Sequence, residues 1–158
     1  MKEFHIDQTQ RFSDPLPDMF RFFADPNNLS RLTPDWLHFD IRSPQPIDMK
    51  VGTLIDYTIR LRGIPMKWRS EITVWHPPFR FVDEQRIGPY KYWIHEHAFE
   101  ERGGLTHVSD RVRYAVPGGA VIHRLFVARD IEKIFAYRKN TLADIFTDID
   151  QTSATESI

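Results

Sequence analysis

Two-residue alternation opens the chain. Phe4, Ile6, Gln8, Gln10 and Phe12 share one parity against Glu3, His5, Asp7, Thr9 and Arg11, the pattern of a half-buried strand. Asp14-Pro15 then predicts a helix start, with Asp14 as N-cap and Pro15 at the first helical position. That helix carries Met19, Phe20 and Phe23 and stops at Asp25-Pro26; a second short helix covers Asn28 to Leu32 and ends before Pro34. Strand patterns follow at about 38–43, 53–61, 64–75, 79–87, 91–101 and 104–115. The punctuation between them is Pro44/Pro46, Arg62-Gly63, Pro77-Pro78, Gly88-Pro89 and Gly103-Gly104. After Pro117-Gly118-Gly119 a long helix is expected over about 120–148, because Ile131, Ile134, Phe135, Leu142, Ile145, Phe146 and Ile149 recur at three- and four-residue steps.

Strand, two short helices, six strands and one long helix define an α+β chain. The economical arrangement is a curved seven-stranded antiparallel sheet with the long helix across its concave face. Such a sheet leaves a cavity under the helix, a common place for a small-molecule site. Residues 1–150 form one domain on this reading, and 151–158, small and polar, are expected to fray.

Composition narrows the function. With 158 residues the chain is long enough for one self-sufficient core. The absence of cysteine excludes a disulfide framework or a thiolate metal site. Basic and acidic side chains number 21 and 22, a net charge of −1 that argues against phosphate-driven nucleic-acid binding. No apolar run is long enough to insert in a bilayer, and the N-terminal residues lack a signal-peptide core, so a cytoplasmic location is expected. The basic set Arg111, Arg113, Arg124, Arg129, Lys133, Arg138 and Lys139 is read as a solvated face. Arg138 interrupts the apolar stripe of the last helix and has two outlets, an internal carboxylate or snorkelling to water, of which snorkelling is favoured.

Turn lengths set the strand register, since opposed residues in an antiparallel pair have a constant number sum and share a face. A two-residue turn at Arg62-Gly63 pairs Tyr57 with Trp68 and Ile59 with Met66. A turn at Pro77-Pro78 pairs Ser70 with Gln85, Ile72 with Asp83 and Val74 with Phe81, with Phe79 and Ile87 also inward. Proline cannot take the positive φ of a primed hairpin, so Gly88-Pro89-Tyr90 reads as a three-residue loop that pairs Gln85 with Trp93 and Asp83 with His95. A last turn at Arg102-Gly103 pairs Trp93 with Val112, His95 with Asp110 and His97 with Val108. His95 is thereby expected between Asp83 and Asp110, with Cβ atoms ~5 Å apart. Gln85, His97 and Trp93 surround them, and Gln8 and Gln10 share the inward parity of the first strand.

Buried carboxylates and imidazoles must be paired, solvated or metal-bound. The leading interpretation is a polar end that orients a ligand in an aromatic cavity, followed by a structural hydrogen-bonded network. Acid–base catalysis by His95 with Asp110 or Asp83 comes third, the carboxylate fixing the imidazole tautomer. A two-histidine, one-carboxylate metal set from His95-x-His97 is placed last; no metal and no cofactor is expected. Tyr57, Trp68, Phe81, Trp93 and Phe99 form the predicted wall, and Asp83, Gln85, His95, His97 and Asp110 the predicted polar anchor. Trp36 and Trp75 are assigned to packing or rim, and His5, His38, His76, His107 and His123 to exposed or loop positions without partners.

The stretch Phe22-Phe-Ala-Asp-Pro-Asn-Asn-Leu29 with Leu32-Thr-Pro34 resembles the paired short helices of the START-like, helix-grip domains, the SRPBCC or polyketide cyclase/dehydrase-like superfamily. Phe81-Val-Asp-Glu-Gln85, Gly88-Pro-Tyr90, Trp93-Ile-His-Glu-His97-Ala-Phe99, Asp110, Tyr114 and Pro117-Gly118 look like a bacterial ligand-binding subgroup of it. The resemblance reaches to about Ile149 and implies a helix-grip fold that holds a small hydrophobic or aromatic molecule. Because superfamily members include aromatase/cyclases as well as carriers, a cyclase- or dehydratase-type enzyme stands as the alternative. A regulatory protein with an incidental cavity is a third reading, and a homodimer is compatible with the sequence.

Overall fold

A computed structural model of the protein describes residues 1–150; the predicted frayed tail, 151–158, lies outside the described residues. Seven strands run β1 (Phe4–Phe12), β2 (Asp40–Ile41), β3 (Leu54–Leu61), β4 (Ile64–His76), β5 (Arg80–Ile87), β6 (Tyr92–Arg102) and β7 (Leu105–Ala115). They form one antiparallel sheet in the order β1-β7-β6-β5-β4-β3-β2. Helix α1 (Leu16–Ala24) and two 3₁₀ turns (Pro26–Ser30 and Asp35–Leu37) connect β1 to β2. After β7 come α2 (Gly119–Ile122), a π-helical turn (His123–Val127) and α3 (Ala128–Ile145), a continuous helical run over 119–145. Among the described residues no helix is long and apolar enough to cross a membrane.

Helix α1 forms because Leu16, Met19 and Phe20 recur at helical spacing and bury together. Its start differs from the expectation. Pro15 is the N-cap, and no side chain caps the helix. Asp14 instead accepts a hydrogen bond from the Thr147 amide (2.6 Å), while its carbonyl accepts one from Thr106 Oγ1 (2.6 Å), so it fastens the chain beyond α3 to the end of the sheet.

Two hairpins show what decides register. At β3–β4 both turn residues have positive φ (Arg62 50°, Gly63 79°), and Tyr57 opposes Trp68 as expected. At β6–β7 the turn is Gly103-Gly104 (φ 58° and 77°), not Arg102-Gly103. A primed turn needs positive φ at both positions, and two glycines meet that without a Cβ penalty. The ladder therefore shifts by two residues: His97 opposes Asp110, His95 opposes Val112 and Trp93 opposes Tyr114. Two is the side-chain period, so every inward residue stays inward. Between β4 and β5 a bulge lies between Ile72 and Val74, which places Val74 opposite Val82 and Trp75 opposite Phe81. The extra residue reverses the parity of the strand beyond it. Trp75 thus packs on Phe20 and Phe81. Phe79, in the turn before β5, and Ile87, beyond a second register shift between Arg69 and Ser70, are exposed rather than inward.

Helix α3 crosses the concave face of the sheet on Ile131, Phe135, Arg138 and Leu142. Arg138 does not snorkel. It is buried, and its Nε and Nη2 donate to Asp110 Oδ2 (2.8 Å) and Oδ1 (3.1 Å) on β7. The core divides around this pair. Phe12, Phe81, Phe99, Val108 and Leu142 lie in one cluster, and Val112, Tyr114, Ile131 and Phe135 in the other. Asp110 falls between Val108 and Val112 on its strand, as Arg138 falls between Phe135 and Leu142 on its helix.

The buried pair and the glycine turn each predict a stability effect. Arg138→Met leaves a buried carboxylate without its cation and is expected to cost about 3–5 kcal/mol in urea unfolding, with Arg138→Met/Asp110→Asn recovering part of the loss. Burial opposes ionisation of Asp110, but the guanidinium and the two imidazoles hold its carboxyl well below the usual range. Its contribution is therefore complete above about pH 4 and lost as pH falls through the folded value, and acid unfolding of Arg138→Met should begin at higher pH than in the wild type. Gly104→Ala meets nothing within 4 Å, so its expected loss of about 1–2 kcal/mol is backbone strain alone; an unchanged unfolding midpoint would contradict the primed turn.

Candidate functional site

Between the sheet, α1 with its following 3₁₀ turn, and α3 lies a cavity, with about 180 Å³ open to the centre of a water-sized sphere. At about 30 Å³ per water molecule that is room for roughly six. Its lining is mostly apolar and aromatic. From the predicted wall, Tyr57, Trp68, Phe81 and Trp93 line it. Tyr57 and Trp68, opposed across β3–β4, stack with ring centres 5.7 Å apart, and Trp93 stands edge-on to Trp68 at 5.9 Å. Trp68 spends its one donor on Ser70 Oγ (3.0 Å), which leaves its face as an apolar surface.

The polar residues converge as the shared parity requires. On β6 the His95 and His97 rings stack at 3.8 Å. His95 Nε2 bonds Asp110 Oδ1 (2.8 Å), and His97 Nε2 bonds Asp83 Oδ2 (2.7 Å). The other nitrogens sit farther out: His97 Nδ1 is 3.4 Å from Asp110 Oδ1, and His95 Nδ1 is 4.0 Å from Asp83 Oδ2. Both histidines, Asp83 and Arg138 reach the cavity; Asp110 lies behind them. Asp83 is the most open of the four acid and imidazole groups, its side chain 20% exposed.

Burial would lower both histidines. For His95 it wins, reinforced by the neighbouring His97, and the ring is held below its ordinary value of 6.5. For His97, contacts with Asp110 and Asp83 overcome burial and raise it. Asp83 is lowered despite burial, through its bond to His97 and the charge of His95. The two imidazoles, two residues apart, are thus driven in opposite directions.

Three predicted site residues stand elsewhere. Gln85 does not line the cavity. Its amide clamps the β5–β6 loop, donating to the Tyr90 carbonyl (2.8 Å) and accepting from the Tyr90 amide (3.1 Å). The side chain folds over Gly88, where a Cβ would stand 2.3 Å from Gln85 Oε1, and it holds Tyr90, whose ring does line the cavity. Phe99 is core, packed on Phe20 and Phe23. Asp110 lies outside the cavity lining, bonded to His95 from behind. Gln10 is engaged with Asp148 and the Lys139 carbonyl, and Gln8 opposes Asp110 in register with a buried Nε2 that has no protein acceptor.

Sequence reasoning missed the side of the cavity made by Phe22, Phe23, Leu29, Leu32, Leu37 and Met49: the last four stand on connecting segments without a periodicity that says which way they face, and Phe22 and Phe23 close α1 beside its buried face of Leu16, Met19 and Phe20. It also missed Arg138 and His123. Arg138 had a signal: it stands three residues after Phe135 and four before Leu142, so it had to face the sheet. His123 accepts or donates at Tyr114 Oη (2.8 Å) and stacks on Phe4 at 3.5 Å, a partnership that depends on the helix carrying it.

A protein-family model described as polyketide cyclase/dehydrase and lipid transport matches residues 13–139, a span that contains every cavity-lining residue. No curated protein matches. Among solved structures the chain is similar to protein CV1439 from Chromobacterium violaceum, at 15% identity and TM-score 0.70, covering 90% of this chain and 96% of that one. Protein Ms6760 from Mycobacterium smegmatis aligns at 16% identity and TM-score 0.64, covering 89% of each. Major latex-like protein 151 from Panax ginseng aligns at 15% and 0.53, covering 83% of this chain and 96% of that one. At such identities the likeness is one of fold. With the family model running through every element that builds the site, the chain belongs to the polyketide cyclase/dehydrase and lipid transport family.

Proposed function

We propose that the protein binds a small, largely hydrophobic or aromatic molecule between the sheet and α3, its polar end against Asp83, His95, His97 and Arg138. The observation that carries this is the separation of character along one cavity: rings and aliphatic side chains on most sides, and Asp83, His95, His97 and Arg138 gathered on one patch of β5, β6 and α3, with Asp25 the one further charged lining residue, at the end of α1. Apolar contact supplies affinity while a few placed polar groups fix orientation. The family description, which includes lipid transport, agrees with this reading.

A second reading has one specific observation in its favour. Asp110 engages His95 through Nε2, so a neutral His95 presents Nδ1 as an acceptor, and its lowered pKa keeps it neutral at pH 7. A cyclase- or dehydratase-type step would use that nitrogen as a general base, with Asp110 fixing the tautomer.

Leu29→Trp places a large ring at a half-buried position of the cavity lining. It is expected to weaken binding of a neutral apolar dye such as Nile red by about tenfold, or about 1.4 kcal/mol, with the urea midpoint unchanged. Equal dye affinity in the two proteins would move the site elsewhere. For a bound compound that is turned over, His95→Ala should abolish turnover while leaving Kd within about twofold, and wild-type kcat should rise with pH along a limb centred below 6.5. Loss of affinity with no turnover in either protein would leave His95 as a ligand contact only.

A further inference from the structure

We infer that Asp83, His95 and His97 form a binding site for one divalent transition-metal ion, coordinated by Asp83 Oδ2, His95 Nδ1 and His97 Nε2. One donor atom from each of the three lies within 4.8 Å of one from each of the others. From Asp83 Oδ2 the distances are 2.7 Å to His97 Nε2 and 4.0 Å to His95 Nδ1. Ligand bonds of about 2.1 Å place neighbouring donors roughly 3 Å apart, so the ion requires one pair to open slightly and the other to close.

What distinguishes this cluster from three polar residues that happen to be near each other is how the rings are oriented. Asp110 Oδ1 takes the outward nitrogen of His95, Nε2, at 2.8 Å, and lies 3.4 Å from His97 Nδ1, a buried nitrogen that makes no hydrogen bond. The remaining nitrogen of each ring is the one nearer Asp83. A histidine that ligates a metal commonly turns its other nitrogen to a carboxylate, which fixes the tautomer and makes the ligating nitrogen more basic. Asp110 does this for His95, and Arg138 fixes Asp110 in turn with two hydrogen bonds. Asp83, Asp110 and Arg138 sum to a formal charge of −1, which favours a cation once metal binding displaces any ring proton at the ligating nitrogens.

The ligand set selects the ion class. Two imidazoles and one carboxylate suit Zn²⁺, Fe²⁺, Co²⁺ or Ni²⁺ rather than Mg²⁺ or Ca²⁺, which prefer oxygen. His95 and His97 are buried, which limits access from the outer face, while all three ligands border the cavity. The ion's remaining positions are therefore directed at whatever occupies that space. The site goes beyond the binding reading above and does not depend on it, since the metal is tested alone.

The full chain, stripped with a chelator and dialysed, is titrated with Zn²⁺ and separately with Co²⁺, and bound metal is counted by mass spectrometry. One equivalent per chain is expected, with visible Co²⁺ absorption from a low-symmetry nitrogen–oxygen site. Asp83→Asn, which keeps the side chain's shape, should weaken Zn²⁺ by more than about tenfold, at least the loss that removal of an outer-sphere partner commonly causes. His76→Ala, remote on an exposed strand end, should leave it unchanged. Imidazole nitrogen resonances of the wild type supply a readout independent of any variant: those of His95 and His97 should shift on adding Zn²⁺. Substoichiometric metal in the wild type, undiminished binding by folded Asp83→Asn, or shifts confined to the other five histidines would each overturn the site.

Discussion

Asp110 carries a carboxylate into the middle of the sheet, under a helix, where an unpaired charge would cost several kcal/mol. Arg138 answers it with both hydrogen bonds of a fork geometry, and the rest of the interior is arranged on either side of that answer. The apolar core is split in two along the line that joins them. The helix cannot slide along the sheet or roll upon it without separating the pair, so one ion pair sets both the height and the rotation of α3. Hydrophobic contacts alone would tolerate a range of such positions, because they are not directional.

The same pair explains why polar groups can face the cavity. Asp110 is held on one side by the guanidinium and on the other by His95, which stacks on His97, and His97 in turn bonds Asp83. Charge is distributed over five side chains from β5, β6, β7 and α3, and no member is left to be neutralised by collapse of the surrounding side chains. Around this patch the walls are rings held by one another: Phe81 stacks on His97 at 4.1 Å, and Tyr90 packs on Trp93 at 4.9 Å. Stiff walls and a polar floor keep space open where a purely aliphatic interior would close-pack.

Much of this is legible in the sequence because parity survives error. The β6–β7 hairpin turns one residue later than expected, which moves the pairing by two, yet His95, His97 and Asp110 remain on the inner face. A shift of one, as the β4–β5 bulge produces, is not forgiven: it puts Trp75 opposite Phe81, where the turn length had put Val74. Nothing local to Ile72-Thr73-Val74 signals that insertion. Arg138 departs from expectation for a different reason. A charge in an apolar stripe has two outlets, water or a buried partner, and the choice depends on what the facing strand presents. The sheet register already supplies Asp110, so laying the helix stripe over it identifies the partner. Gln85 shows the limit from the other side, since an inward residue near a loop can be consumed by the loop.

The π-helical turn His123–Val127 has a consequence for chain length. In an α-helix each four-residue step overshoots a full turn by about 40°, so His123, Val127, Ile131 and Phe135 would spiral off a common line. A wider turn among the first of them takes back part of that overshoot, and His123 meets Tyr114 and Phe4 while Ile131 and Phe135 still face the sheet. The number of residues between the Pro117 corner and α3 is thereby fixed more tightly than their identities. Side chains such as Val121 and Leu125, which face solvent, can vary; a single deletion there would rotate α2 against α3 and detach the helix start from the strands it caps.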